Sequence, residues 1–316
     1  MLRMQGSARG IALDIVRADG RRQPVLVSSV LERGADAEPV VVRTAVFDAV
    51  ERREYERELL RAKEQAEASE ARARALAQTL QQTLVPPAPP RVPGLDVAAA
   101  YRPAGDGTEV GGDFYDVFEV GVGDWVLVIG DVCGKGVDAA AVTALARYTL
   151  RAAAVRMPQP SQALETLNEV LLRHPTERFC TAVLVRLRLH DGAWTATIGV
   201  AGHPLPLLAA PGTAPTRVGR AGSLLGVLAA PAFHDTKLAL HPGDTLVLFT
   251  DGVTEGRRGP EFYGEDRLRA VVGATTGPAG ARVGAVVDDV LRFQSGRPSD
   301  DVAVVAVGVP AGPEPG

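Results

Sequence analysis

The stretch of sequence that decides the fold is residues 111–136, GGDFYDVFEVGVGDWVLVIGDVCGKG. Its central part, residues 125–129, is an apolar run of the length typical of a buried strand, and it is too short for a core helix. The run leads to Asp131, in a turn whose glycines let other groups approach the backbone closely. The Ala-rich residues 137–153 follow and favour a helix. The sequence therefore predicts a buried strand that places an aspartate at its end.

Three further aspartates stand in similar settings. Asp113 follows two glycines and precedes a Phe-Tyr pair, while Asp251 and Asp300 also lie beside strand-like sequence. The simpler interpretation of any one of them is turn chemistry, because Asp and Gly are among the commonest turn residues. Four carboxylates brought together would raise each other's pKa unless cations neutralised them. The set therefore favours a site for hard cations with oxygen ligands.

The overall composition argues against several classes of protein. The 316 residues are 46% hydrophobic and 23% charged, which leaves room for one large domain and a smaller part. The net charge of -4, without a basic patch, argues against nucleic-acid binding. The two cysteines form no disulfide framework and fit a reducing cytosol. There is no run of 18 apolar residues and no signal-peptide core, so we expect a soluble cytoplasmic protein without membrane contact.

The N-terminal part is predicted to be a β meander and a long helix. Residues 1–48 read as three strands joined by polar turns, one of them at 34–38, and are marginal for burying a core alone. Residues 49–85 contain no Gly or Pro and read as a helix with a heptad pattern that favours a parallel two-stranded coiled coil. The alternative is a helix that lies along its own domain. The two heptad positions are Leu59, Ala66, Ala73 and Leu80, and Ala62, Ser69, Leu76 and Thr83.

The remainder predicts one large α+β domain. A Pro-rich linker at residues 86–94 precedes it, the domain covers residues 95–309, and residues 310–316 form a tail. Strand-like segments are interrupted by two consecutive helices, and this order favours α+β over a doubly wound sheet. Ser161 is the predicted N-cap of the second of these helices.

The large domain carries six motifs in order: GGDFYD at 111–116, GDVCGKG at 130–136, AGHP at 201–204, LLGV at 224–227, TDG at 250–252 and DD at 300–301. This set resembles the SpoIIE-type branch of the bacterial metal-dependent (Mg/Mn) serine/threonine protein phosphatases. The likeness covers about residues 80–308. Residues 1–48 and their exit into the helix resemble the C-terminal half of a PAS sensor domain, with an unrelated three-stranded cap as the alternative.

The resemblance implies an α+β fold in which two antiparallel sheets form a sandwich flanked by helices, with two metal ions in a cleft at one end. By position, Asp131 would bridge both metals, and the backbone carbonyl of Val132 would help to bind one of them. Asp113 would be a ligand or a water-mediated partner on one side, while Asp251 and Asp300 would bind the other metal. These four aspartates are the candidate catalytic residues, and an oxygen-only ligand set favours Mn²⁺ or Mg²⁺ over zinc.

The implied activity is that of a hydrolase that removes phosphate from serine or threonine side chains. Two metals about 4 Å apart lower the pKa of a bridging water, so that hydroxide exists near neutral pH and attacks the phosphate in line. The proton donor is not assigned, because eukaryotic relatives carry a His where this loop offers Lys135. His203 is more typical of a structural residue.

Other side chains are candidates for supporting roles. Asp301 is a neighbour of Asp300 that could share its role, and Asp116 is expected to hold the turn or a metal-bound water. Cys133 stands where the family often has Ser, and little effect is expected. Four cations either attract phosphate or a substrate protein, or are simply solvated. They are Arg102, Lys135, Arg257 and Arg258.

The family's usual substrate implies the partners. It is a phosphorylated STAS-domain anti-anti-sigma protein of a bacterial partner-switching pathway, and here it would be supplied in trans. The helix at residues 50–84 is expected to pair across a homodimer. Two alternatives remain open, a non-catalytic signalling scaffold with a phosphatase fold and a metal-dependent hydrolase for small phosphate esters.

Overall fold

The computed structural model describes residues 6–33, 39–84, 88–104, 111–174, 176 and 178–311, with side chains left out of the description at 33, 39–40 and 73–84. The chain divides into two compact units, Met1–Ala73 and Arg74–Gly316. Among the described helices, none is both long and apolar enough to cross a membrane.

The smaller unit contains the predicted β meander, which is confirmed. β1 (Ser7–Val16), β2 (Arg22–Arg33) and β3 (Pro39–Asp48) form an antiparallel sheet in the order β1-β2-β3. The predicted turn at 34–38 lies outside the described residues.

Helix α1 (Val50–Leu84) follows the meander directly. The Asp48 carboxylate accepts a 2.9 Å hydrogen bond from the Val50 N–H, which satisfies one of the unpaired donors at the helix start. The N-terminal half of the predicted heptad seam is exposed, with Leu59 60% accessible. Four seam positions have side chains outside the described residues: Ala73, Leu76, Leu80 and Thr83.

The larger unit is built from two five-stranded antiparallel sheets and four longer helices. One sheet has the spatial order β10-β9-β12-β15-β4 and the other β11-β8-β7-β6-β5, while β13 and β14 form a separate hairpin. In chain order the elements are β4 (Asp96–Arg102), β5 (Phe114–Gly121), β6 (Asp124–Val132), α2 (Val137–Arg156), α3 (Pro160–Arg173), β7 (Cys180–His190), β8 (Ala193–Ala201), β9 (Leu207–Ala209), β10 (Thr216–Arg217), β11 (Asp235–Leu240), β12 (Thr245–Phe249), α4 (Asp251–Thr254), β13 (Arg257–Arg258), β14 (Glu261–Phe262), α5 (Glu265–Ala274), α6 (Ala279–Phe293) and β15 (Val302–Gly308).

The central strand β6 shows why the layers stack. Its side chains alternate between two faces, as the pleat requires. Leu127 and Ile129 share a core with Leu246 and Val305 of the other sheet, which closes the sandwich. On the other face, Val128 and its neighbours pack in a second core against α2 and α3. Helices α5 and α6 cover the outer face of the sheet that contains β12 and β15, so the predicted sandwich flanked by helices is confirmed.

The predicted N-cap of α3 is wrong. The helix begins at Pro160 with Gln159 at the N-cap, and Ser161 lies inside the first turn. Proline is favoured at the first helical position because it has no N–H to leave unpaired and its φ already suits a helix. The carboxylate of Asp235, from β11, accepts bonds from the Ser161 N–H at 2.9 Å and hydroxyl at 2.7 Å. The Asp235 carboxylate, which is distant in sequence, thus caps the start of α3 in place of the predicted serine side chain.

Candidate metal centre

Asp131 is held near the end of β6 by a strand on each side. Its backbone pairs with Thr181 of β7, while the preceding Gly130 pairs with Phe114 of β5. A Cβ at Gly130 would lie 2.7 Å from the Phe114 ring and 2.5 Å from the Thr181 carbonyl oxygen. Only glycine fits there, so the strand comes close to its neighbours just before the carboxylate.

Two further carboxylates reach the same point from different elements. Asp113 directly precedes β5 and is buried, and Asp251 begins the short helix α4 after β12. Carboxylate oxygens of Asp113, Asp131 and Asp251 lie within 4.8 Å of one another. The structure therefore brings three of the four predicted aspartate ligands together at one end of the sandwich.

The acidic cluster is electrostatically costly without a cation. Burial, then the charge of Asp131, raises the pKa of Asp113 well above its usual value. Burial, then repulsion from Asp251 and Asp300, raises the pKa of Asp131 to about 7. Burial, then the charge of Glu255, raises the pKa of Asp251. A divalent cation between these groups would remove the repulsion, and the donor set of carboxylate oxygens suits Mn²⁺ or Mg²⁺.

The two adjacent aspartates before β15 have different environments. Asp300 lies outside the group of three and forms a 3.0 Å ion pair with Lys135. Asp301 is buried, and its Oδ1 accepts a 2.7 Å hydrogen bond from the Ala104 N–H. Its Oδ2 is buried without a hydrogen-bond partner among the described residues. Burial raises the pKa of Asp301, while its hydrogen bonds with the Ala104 N–H and the Tyr101 side chain lower it.

The glycine pair before Asp113 packs against the backbone of the central strand. The Val132 N–H donates a 3.2 Å bond to the Gly112 carbonyl. A Cβ at Gly112 would overlap the Val132 carbonyl oxygen, and one at Gly111 would overlap the Asp301 carboxylate. The turn before Asp113 therefore packs directly against the end of β6, and the Val132 carbonyl oxygen lies against the Gly112 backbone.

Asp116 does not hold the turn or face the cluster. It is buried in β5 and accepts bonds from Arg147 at 3.0 Å and Arg151 at 2.9 Å, both on α2. Asp116 lies within β5, where its side chain contacts α2. Asp113, three residues earlier, lies before the strand begins. The Asp116 carboxylate anchors α2 to the sheet, so the expectation that it holds the turn or a metal-bound water is wrong.

His203 is a buried structural residue. Its Nδ1 is 2.8 Å from the Thr181 hydroxyl, and burial lowers its pKa to about 3. With this pKa it is neutral near pH 7, in keeping with a structural role.

The four predicted cations are partly engaged with other groups. Lys135 pairs with Asp300, and Arg102 donates to the Tyr101 carbonyl at 2.9 Å. Arg257 stacks on the Phe262 ring, while Arg258 stacks on Phe293 and pairs with Glu261 at 2.7 Å. Among the contacts just described, only the ion pair of Lys135 with Asp300 involves a predicted metal ligand.

Sequence reasoning missed two residues that contact the site. The Thr250 hydroxyl donates to Asp113 at 2.7 Å, and Arg178 Nη1 donates to the Cys133 carbonyl at 2.6 Å. Thr250 stands next to Asp251, so its place in the motif was a signal that could have been used. Arg178 had no local signal, because it reaches the site only through the pairing of β6 with β7.

The fold and the acidic cluster define a class, the metal-dependent serine/threonine protein phosphatases. The family described as Stage II sporulation protein E (SpoIIE) matches residues 121–310, more than half of the chain. The chain belongs to this family, and the resemblance drawn from the six motifs is confirmed.

Individual relatives are similar at moderate identity. Protein IcfG of Synechocystis sp. is 27% identical over 72% of this chain and 40% of its own length. Phosphoserine phosphatase RsbU of Bacillus subtilis is 27% identical over 73% of this chain and 68% of its own. The solved RsbU and RsbW domains of Rv1364c from Mycobacterium tuberculosis are 28% identical with a TM-score of 0.59, covering 73% of this chain and 63% of theirs. The chain thus spans less than half of IcfG and under two thirds of the solved Rv1364c chain.

Proposed function

We propose that this protein is a phosphatase that uses two Mn²⁺ or Mg²⁺ ions to remove phosphate from serine or threonine of a regulatory protein. The observation that carries the proposal is the meeting of Asp113, Asp131 and Asp251 within 4.8 Å, on elements from both sheets. Raised carboxylate pKa values mark a place where positive charge is needed.

Each residue has a role in this proposal. Asp131 and the Val132 carbonyl would hold the ions together with Asp113, whose carboxylate lies within 4.8 Å of that of Asp131. Asp251 and Asp300 would complete the set of ligands, and Asp300 would give up its ion pair with Lys135 to do so. The chemistry supplied by the bound ions is a lowered pKa for a water and neutralisation of the substrate phosphate. The chain's part is to hold the carboxylates in place and orient the phosphate.

The proposed substrate is a phosphorylated STAS-domain anti-anti-sigma protein, supplied in trans in the cytoplasm. Support comes from the similarity to RsbU, a phosphoserine phosphatase, and to a solved pair of RsbU and RsbW domains. We further propose that residues 1–48 are a partial PAS-like domain. In this proposal residues 49–85 dimerise, 86–94 are a linker, 95–309 are the phosphatase domain, and 310–316 are a tail.

The test is hydrolysis of p-nitrophenyl phosphate and of a phosphoserine peptide with Mn²⁺, with and without EDTA. Changes to residues around metal ligands cost about 10–100-fold in affinity or activity, so D131N, at a ligand itself, should lose about 100-fold or more. D288N, at an exposed carboxylate of α6, is the matched control and should behave as wild type. Wild-type protein with neither turnover nor Mn²⁺ binding would favour the non-catalytic scaffold.

A further inference from the structure

The loop of residues 133–136 follows two proposed ligands directly. It leaves β6 after Val132 and enters α2 at Val137. Gly134 and Gly136 have φ angles of +94° and +93°, a region that glycine enters readily and other residues do not. Because glycine also populates many other conformations, the loop needs contacts from elsewhere to keep one shape.

Those contacts come from the start of β7. The Cys133 N–H donates a 3.0 Å bond to the Phe179 carbonyl, and the Cys133 carbonyl accepts a 2.6 Å bond from Arg178 Nη1. Both backbone polar groups of Cys133 are therefore held by two consecutive residues. The bond from the guanidinium is charge-assisted, and such bonds are stronger than those between neutral groups.

The geometry of the peptide bond carries this constraint to Val132. In a planar trans peptide, the carbonyl of one residue points opposite to the N–H of the next. Because the Cys133 N–H is bonded to the Phe179 carbonyl, the Val132 carbonyl points in the opposite direction, away from Phe179. Its oxygen lies at Gly112, where a Cβ would overlap it. Arg178 fixes the following peptide group, so the strand end cannot rotate about Cys133 without breaking the charged bond.

The arginine fits the loop closely. A Cβ at Gly134 would overlap the Arg178 guanidinium, so the glycine leaves the space that the guanidinium occupies. The equally left-handed Gly136 has nothing within 4 Å of its Cβ position. The two glycines thus share a backbone conformation, and only Gly134 contacts the arginine.

We propose that Arg178 is a positioning residue, which sets metal affinity by holding Cys133 and, through it, the Val132 carbonyl and Asp131. This inference rests on the proposed function, since it concerns the same metal centre. Residues that orient metal ligands typically change affinity about 10–100-fold when replaced. Removal of Arg178 should therefore weaken metal binding more than it slows turnover once the metal is saturating.

The test measures Mn²⁺ binding to the full chain by calorimetry, together with kcat at saturating Mn²⁺. R178M should raise the Kd for Mn²⁺ about tenfold while kcat stays within about threefold, and R178K should restore part of the affinity. R188M is the control, because Arg188 lies on β7, the strand that follows Arg178, but pairs with Asp124 at 3.2 Å. If Arg178 only stabilised the fold, R178M would lower the melting temperature in EDTA, but it would not raise the Kd for Mn²⁺ while leaving kcat nearly unchanged.

A second pair of variants leaves Arg178 itself unchanged. G134A and G136A introduce the same strained backbone position, but only G134A displaces the guanidinium. G134A should therefore weaken Mn²⁺ binding and G136A should not. Wild-type affinity in both R178M and G134A overturns the inference and leaves the proposed function standing. A wild-type protein that binds no Mn²⁺ overturns both.

Discussion

The Thr250 hydroxyl donates a 2.7 Å hydrogen bond to the Asp113 carboxylate. Thr250 is fully buried after β12, whereas Asp113 precedes β5 in the other sheet, so this bond joins the two sheets at the acidic cluster. The Thr250 oxygen also accepts a 3.0 Å bond from the Ala303 N–H of β15. One hydroxyl thus connects the ends of three strands.

Replacing Thr250 with valine should weaken the cluster. T250V leaves Asp113 without its side-chain donor, and since that bond lowers the pKa of Asp113, the pKa should rise further. The free energy of unfolding should fall by about 1–3 kcal/mol, the usual cost of an unsatisfied buried polar group. Urea denaturation in EDTA measures this, with T250S expected to stay near wild type. Equal stability of T250V and wild type would contradict the prediction.

The metal-free protein should lose stability as the pH rises, because of Asp131. Its pKa is about 7 in the fold, by burial and then by repulsion from Asp251, and about 3.9 in an unfolded chain. Between these values the folded state holds a proton that the unfolded chain has released, so the free energy of unfolding falls with rising pH. From about pH 5 to about pH 8 in EDTA, wild type should therefore lose more stability than D131N.

Comparison with D131N removes this titration together with the repulsion that Asp131 exerts on Asp113, while His203 is present in both proteins. Saturating Mn²⁺ should stabilise wild type most at the higher pH, where the carboxylates are ionised. Parallel pH profiles of the two proteins in EDTA would show that Asp131 has an ordinary pKa.

A methyl group at Gly112 should disrupt the centre. G112A would drive a Cβ into the Val132 carbonyl oxygen and within 2.6 Å of Asp131 Oδ1. Overpacking of this kind costs about 1–3 kcal/mol, and the displaced carbonyl should also weaken Mn²⁺ binding. G121A is the matched control, because the nearest atom to its Cβ is 3.8 Å away. Denaturation and Mn²⁺ titration should separate the two variants, and identical behaviour would refute the steric argument.

Loss of the Asp116 charge should affect stability and leave metal binding intact. D116N removes the carboxylate charge that Arg147, whose side chain is 11% exposed, contacts at 3.0 Å. Breaking a buried ion pair costs about 3–5 kcal/mol, and the partial exposure of Arg151 places the expected loss at or below the low end of that range. D191N, at an exposed carboxylate, serves as the control. Weaker Mn²⁺ binding by folded D116N would instead connect this residue to the metal centre.

The oligomeric state tests the predicted coiled coil. Leu59 lies in the heptad seam and Leu60 beside it, and they are 60% and 57% exposed in the chain described here. Sedimentation should show a dimer for wild type and for L60E, but a monomer for L59E, because a charge in the seam is buried on pairing. A monomeric wild type at micromolar concentration would argue against dimerisation through α1.

Much of the architecture follows from local sequence. Apolar runs such as residues 125–129 specify buried strands because their side chains have no polar face to expose. The glycine-aspartate turns at 111–113 and 130–131 marked the ends of strands that meet at one end of the sandwich. The order of the motifs was enough to predict the family, and the pattern of strand-like and helical segments predicted the α+β class and the N-terminal meander.

Only the tertiary structure decided which carboxylates meet and which donors hold them. Asp300 and Asp301 are neighbours in sequence. Asp300 is exposed and forms an ion pair with Lys135, whereas Asp301 is buried. Successive side chains in extended backbone point to opposite sides, and only packing determines which side is interior. The same holds for Arg178, because its contact with Cys133 depends on a strand pairing that no local pattern encodes. Sequence determined the strands and their terminal aspartates, and long-range packing determined the acidic cluster.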